Sequence, residues 1–189
     1  MIYINDDIGS LQLEAALAEI SGQRREQALK FRHEQGRRLC VAAYLLLKEG
    51  LRQEYGIDEN PLLDYDPQGK PFLADHQDIF FNLSHCRGAA ICAIGNSPVG
   101  IDIECIREYR PGLAAYTMNE LELEHIGRAD RPDVEFIRLW TMKESLLKLT
   151  GEGIRSSLKD VLKDVGGQVV FTTVVNLHRQ HVYTICTQR

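Results

Sequence analysis

Asn96-Ser97-Pro98-Val99-Gly100-Ile101-Asp102-Ile103-Glu104-Cys105 both divides the chain and opens its second half. Asn-Ser-Pro breaks regular structure, since proline lacks an amide hydrogen and fixes one backbone angle. Val99–Cys105 then alternates as a β-strand does, with successive side chains on opposite faces. Asp102 and Glu104 share one face, and Ile101 and Ile103 the other. The break predicts two halves, residues 1–98 and 99–189, each mixing helices and strands. The class is α+β: two small halves that share an interface, because a core built by either length alone is marginal.

Outward from this segment, residues 2–4 predict a short strand, and apolar spacing predicts a helix from about Ser10 to Ile20. One long helix is expected from about Arg24 to Tyr55. Its second half carries Leu39, Ala42, Ala43, Leu46 and Leu47 as a buried stripe, and Gly56 is its stop. Asp66-Pro67-Gln68-Gly69 reads as a turn, and Ile79–Leu83 and Ala89–Ile94 as strands joined by the loop Ser84–Gly88. Downstream, Thr117-Met118-Asn119-Glu120 fits a capping box with Thr117 as cap. Asp133–Leu149 predicts a strong helix stopped by Gly151 and Gly153. Gln168–Val175 and Val182–Thr187 predict two last strands.

The 189 residues are 44% hydrophobic and 26% charged, which supports a packed core and excludes a disordered chain. With 22 Lys+Arg against 27 Asp+Glu the net charge is -5, so neither nucleic acid nor anionic lipid is an expected partner. Arg24, Arg25, Lys30, Arg32, Arg37 and Arg38 form a local basic cluster, readable as a solvated helix face or as a contact for phosphate or an acidic partner. Cys40, Cys86, Cys92, Cys105 and Cys186 contain no Cys-x-x-Cys pair, which argues against a disulfide scaffold or zinc ribbon and suits a reducing cytosol. His178 and His181 have no third ligand nearby in the sequence. The longest apolar run, Cys40–Leu47, falls well short of the ~20 residues of a membrane helix. The first ten residues lack a secretory pattern, so a soluble, cytoplasmic chain is expected.

Chemistry concentrates in three places. Asp102 and Glu104 on one strand face would repel unless a hard cation such as Mg2+ lies between them; taken alone, they are also what an exposed edge strand shows. In Trp140-Thr141-Met142-Lys143-Glu144-Ser145-Leu146-Leu147-Lys148, Trp140, Glu144 and Lys148 fall nearly on one helix face. Glu144 could complete a metal site while Lys143 and Lys148 meet phosphate; a surface Glu–Lys pair is the other reading. Phe81-Asn82-Leu83-Ser84-His85, after Gly69-Lys70-Pro71, offers Asn82, Ser84 and His85 as hydrogen-bonding groups for phosphate or ribose, or forms a polar turn. One anion-plus-metal site explains all three together.

These motifs, in this order and spacing, resemble the 4′-phosphopantetheinyl transferases of the Sfp-type, single-chain, pseudo-dimeric class, from about Arg24 to Gly153. The resemblance implies two similar α+β halves about a pseudo-twofold axis with the site between them. It implies an enzyme that moves the phosphopantetheine arm of coenzyme A to a serine of an apo carrier protein, releasing adenosine 3′,5′-bisphosphate. Asp102, Glu104 and Glu144 would hold Mg2+, with Glu144 also the base for the serine. Lys148 and Lys143 would contact phosphate, and Ser84 and His85 the pyrophosphate or 3′-phosphate. Lys70 would line the adenine pocket, and Arg38 would be the phosphate-binding arginine, with Arg37 as the one-residue alternative. Cys86 stands where many relatives have serine. The implied partner is an acidic carrier of fatty-acid, polyketide or nonribosomal peptide synthesis, served by a monomer. Two other classes fit parts of the pattern. A silent module binding a carrier or nucleotide is opposed by the full Asp102/Glu104/Glu144/Lys148 set. A Mg2+-dependent phosphohydrolase is opposed by the lack of a P-loop or second carboxylate cluster.

Overall fold

The computed structural model describes residues 1–151, 153, 157–163 and 165–189. The fold is α+β, and the chain divides into two compact units, Met1–Val99 and Gly100–Arg189.

The first unit is an antiparallel sheet ordered β1 (Ile2–Asn5), β5 (Ala89–Gly95), β4 (Phe80–Cys86), with helix α3 (Glu34–Tyr55) packed across it. Ile2 pairs with Ala93, and Phe81 with Ile94. Val41, Tyr44, Leu47 and Leu51 of α3 are fully buried against Phe81, Cys92 and Ile94. Helix α3 ends at Gly56, whose φ of 68° is the left-handed cap that glycine adopts without strain.

The single helix expected over 24–55 is instead two, α2 (Gly22–Leu29) and α3, after the short α1 (Leu13–Glu19). The chain turns at Lys30–His33, where the Phe31 ring lies over Gly36 so closely that a Cβ there would sit 2.9 Å from it. Polar residues dominate this stretch, so no apolar stripe continues through it. Arg24 locks α2 back onto α3 by donating twice to the Cys40 carbonyl and lying over the Tyr44 ring. The turn at 66–69 sits in a small hairpin of β2 (Leu63–Tyr65) and β3 (Pro71–Leu73), too short to show a period. Strand β4 runs to Cys86 through residues expected to be loop.

The second unit has sheet order β6 (Val99–Cys105), β8 (His181–Gln188), β7 (Val169–Asn176), with α6 (Pro132–Thr150) across β8 and β7. Both units thus run strand, long helix, hairpin, and place the last strand in the middle. Helix α4 (Pro111–Thr117) ends where a helix was expected to begin, and the Thr117 hydroxyl donates back to the Leu113 carbonyl. The capping box belongs to Asn119 and Glu122 at the start of α5 (Glu120–Arg128), two residues beyond Thr117 and Glu120. Both pairs satisfy the same spacing, and the side chain that reaches back decides between them.

Strand β6 meets α6 at Gly100, where a Cβ would lie 1.9 Å from the Ser145 carbonyl oxygen and 2.6 Å from the Leu149 amide nitrogen. Only glycine permits that approach. Gly100→Ala should destabilise the protein by about 2 kcal/mol or more, through overpacking against backbone that cannot yield. Gly127→Ala, exposed in α5 with nothing within 4 Å of its Cβ, should instead stabilise by about 0.5 kcal/mol. Urea unfolding of the two variants beside the parent checks both signs.

Candidate active site

Gly100, Asp102 and Glu104 occupy alternate positions of β6, hence one strand face, and the contact at Gly100 turns that face toward α6. Asp102 is 5% exposed, which excludes the reading of β6 as a strand with a solvated acidic face. Its Oδ1 accepts from Lys148 Nζ at 2.7 Å. Glu144, one turn earlier on α6, comes close enough to feel the Asp102 charge, and so does Glu104. Burial first, and Asp102 second, push the Glu104 carboxyl up to about 6; Arg107 and Lys148 work against the shift. The same two causes raise Glu144, again opposed by Lys148. Its Oε1 is buried and has no hydrogen-bond partner among the described residues.

This corner therefore holds more carboxylate than cation. The donors are all hard oxygens, the chemistry a small divalent cation takes. The expected convergence of three carboxylates is nevertheless not complete. Among the described residues, no three His, Cys, Asp or Glu side chains are gathered closely enough to hold a metal ion. Like charges spread, and the nearest ammonium, Lys148, lies on Asp102.

Lys143 does not stand where a phosphate contact requires it. Its side chain is 1% exposed, and Nζ donates to Glu122 Oε2, the Thr117 carbonyl and the Leu158 carbonyl. One residue is about 100° of helix, so Lys143 faces inward although Glu144 beside it belongs to the acidic corner. Trp140 packs beside Phe136 in the second unit's core.

In the first unit, Asn82, Ser84 and Cys86 are buried on one face of β4, while Phe81 and Leu83 face the α3 core. His85, whose strand neighbour is Ala90, is exposed. Lys70 follows the hairpin turn, its amide held by the Asp66 carboxylate, and burial holds its ammonium below the usual lysine range. Arg38 pairs with Glu34 at 2.7 Å and also donates to the Leu11 carbonyl, while Arg37 donates to the Phe31 carbonyl. Of the basic cluster, Arg24, Arg37 and Arg38 thus each carry local structure.

Two residues of the site region were not singled out from sequence. Gly100 was legible in principle, since it shares the strand face of Asp102 at two-residue spacing. Glu122 carries a signal in Asn119-x-x-Glu122, which competes with the equally good spacing two residues earlier.

Residues 98–186 match the model of the 4′-phosphopantetheinyl transferase superfamily. The chain is 27% identical over 172 residues to a 4′-phosphopantetheinyl transferase of Bacillus subtilis, covering 87% of this chain and 76% of that protein. It is 28% identical over 156 residues to the transferase Sfp of Bacillus subtilis (strain 168), covering 81% and 70%. Identity to the transferase gsp of Aneurinibacillus migulanus is 41% over 113 residues, 58% of this chain and 47% of that one. Fold, acidic corner and relatives together define a group-transferring enzyme. The second half of the chain thus matches the superfamily's model, and most of the chain is similar to Sfp-like 4′-phosphopantetheinyl transferases.

The raised carboxyl of Glu104 has a stability consequence with a definite sign. A carboxyl whose value rises from 4.5 to about 6 on folding binds its proton more tightly folded than unfolded. Its contribution is most favourable below pH 4.5 and is lost as pH climbs through 6. Glu104→Gln should therefore stabilise the protein at pH 7 by on the order of 1 kcal/mol and leave it unchanged near pH 4. Urea midpoints of parent and variant at the two pH values test this.

Proposed function

We propose that this enzyme transfers the 4′-phosphopantetheine group of coenzyme A to a serine of an apo carrier protein, with Mg2+ as resident ion, releasing adenosine 3′,5′-bisphosphate. The observation that carries the reading is the buried acidic corner, in which Asp102 is held by Lys148 and Glu144 keeps an unpartnered buried oxygen among the described residues.

The reaction joins the serine oxygen to the phosphorus of the pantetheine arm and breaks the phosphorus–oxygen bond to the adenosine bisphosphate. The serine proton must leave, and a carboxylate with raised proton affinity is suited to take it near neutral pH. Glu144 fills that role, directly or through one water, since burial and the Asp102 charge both raise it. Asp102, Glu104 and Glu144 would supply the ligand oxygens for the ion, which would have to draw their carboxylates closer than they stand. When bound, Mg2+ neutralises charge that grows on the leaving phosphate. Lys148, partly exposed at 28%, presents its ammonium to phosphate at the margin of the same corner. In the first unit, the resemblance assigns Arg38, Ser84 and His85 to phosphate groups, with the Asn82 amide beside Ser84, and Lys70 to the adenine pocket. Lys143 is not among the phosphate contacts, because its three protons are spent inside the second unit.

The partner is an acidic carrier of fatty-acid, polyketide or nonribosomal peptide synthesis, and the enzyme works as a monomer in the cytoplasm. Five free cysteines fit a reducing compartment, and no helix among the described residues is long and apolar enough to cross a membrane. Incubation with coenzyme A, Mg2+ and a panel of apo carriers should add one phosphopantetheine to a carrier by intact mass, and chelation should stop it. Glu144→Gln should lower kcat by at least about 10²-fold with the fold intact by circular dichroism. An unmodified panel overturns the function, and an active Glu144→Gln variant overturns the base assignment.

A further inference from the structure

Burying a lysine ammonium costs several kcal/mol, and an apolar pair of similar volume is often as stable or more so. Lys143 is nevertheless enclosed, and its three donors reach three separate pieces of the second unit. They end on Thr117, the last residue of α4, on Glu122 in the first turn of α5, and on Leu158 in the 3-10 turn Leu158–Asp160. Glu122 Oε2 also accepts the Asn119 amide at 2.8 Å, and Asn119 Nδ2 donates to the Lys159 carbonyl. Glu122 Oε1 is buried with no hydrogen-bond partner among the described residues, so the cluster is poorly explained by stability alone.

What it does supply is orientation. Residues 143 and 145 lie about 200° apart around α6, with 144 between them. One flank of the helix is pressed at Ser145 against β6 through Gly100, and the other is tethered at Lys143 to α4, α5 and the 3-10 turn. Two restraints on opposite flanks limit the rotation of α6 about its axis, and Glu144, between them, lies within the field of Asp102.

We propose that Lys143 is a positioning residue: it holds α6 at the rotation that presents Glu144 to the acidic corner, and it does so through Glu122, Thr117 and Leu158. The inference rests on the transferase reading above, and the experiment separates the two.

Lys143→Met and the double variant Lys143→Met/Glu122→Leu are compared with the parent for thermal stability, kcat, and KM for coenzyme A, on a carrier that the parent modifies. The single variant should lose stability and lower kcat by about 10²-fold, as a misplacement of about 1 Å does, with KM for coenzyme A within about twofold. The double variant, which removes both charges, should regain the parent's melting temperature but keep the low kcat. Apolar packing restores the contact without the carbonyl hydrogen bonds that set the rotation. Recovery of kcat together with stability, or a parental kcat in the single variant, overturns the positioning role while leaving the transferase reading intact. A parent that modifies no carrier overturns both.

Discussion

The close passage of β6 over α6 at Gly100 is the constraint on which the acidic corner depends. Without a side chain at that position, the strand settles against the Ser145 carbonyl and the Leu149 backbone. Two residues along the same strand face, Asp102 is thereby carried within 2.7 Å of Lys148 and into the field of Glu144. A methyl group at Gly100 would lift the strand and weaken all of these encounters together. Glycine here is a matter of distance, since its backbone lies in the ordinary extended range of a strand.

The corner so formed is electrostatically unbalanced. Among the described residues, Lys148 faces Asp102 and tempers both glutamates and Arg107 tempers Glu104, yet Glu104 and Glu144 still hold their protons more tightly than usual. Such a site is costly to the fold and useful to chemistry. Excess negative charge of this kind favours a cation, and it raises the proton affinity of the carboxyls that share it. By contrast, the hub around Lys143 is balanced in charge and closed to solvent. Neighbouring residues of one helix thus take opposite parts.

Much of this was legible in the sequence. Val99–Cys105 reads as a strand from its alternation, and Gly56 and Gly151 mark helix ends because each adopts a positive φ. A meeting of Asp102 with the Trp140–Lys148 segment is expected from the need of its carboxylate for a cation and from the motif resemblance, but as a metal ligand beside Glu144 rather than as the partner of Lys148. The orientation of Lys143 was hidden, since a lysine beside a glutamate looks the same whether it faces phosphate or the core. The break between α2 and α3 was hidden too, because it depends on Phe31 packing over Gly36 rather than on a proline or a turn signature. The common order of the two sheets left no trace as a sequence repeat. Topology is preserved by strand and helix lengths, which many unrelated residues satisfy.

That common order bears on how the protein is made. In each sheet the central strand is the last to leave the ribosome: β5 joins β1 to β4, and β8 joins β6 to β7. The first unit can close once β5 has emerged, while the second is still being translated. Both β6 and α6 are synthesised long before β8 arrives to hold β6 at its place in the sheet. Asp102 and Glu144 therefore wait as unassembled parts on a nascent polypeptide, and the acidic corner takes its final form only once β8 has followed.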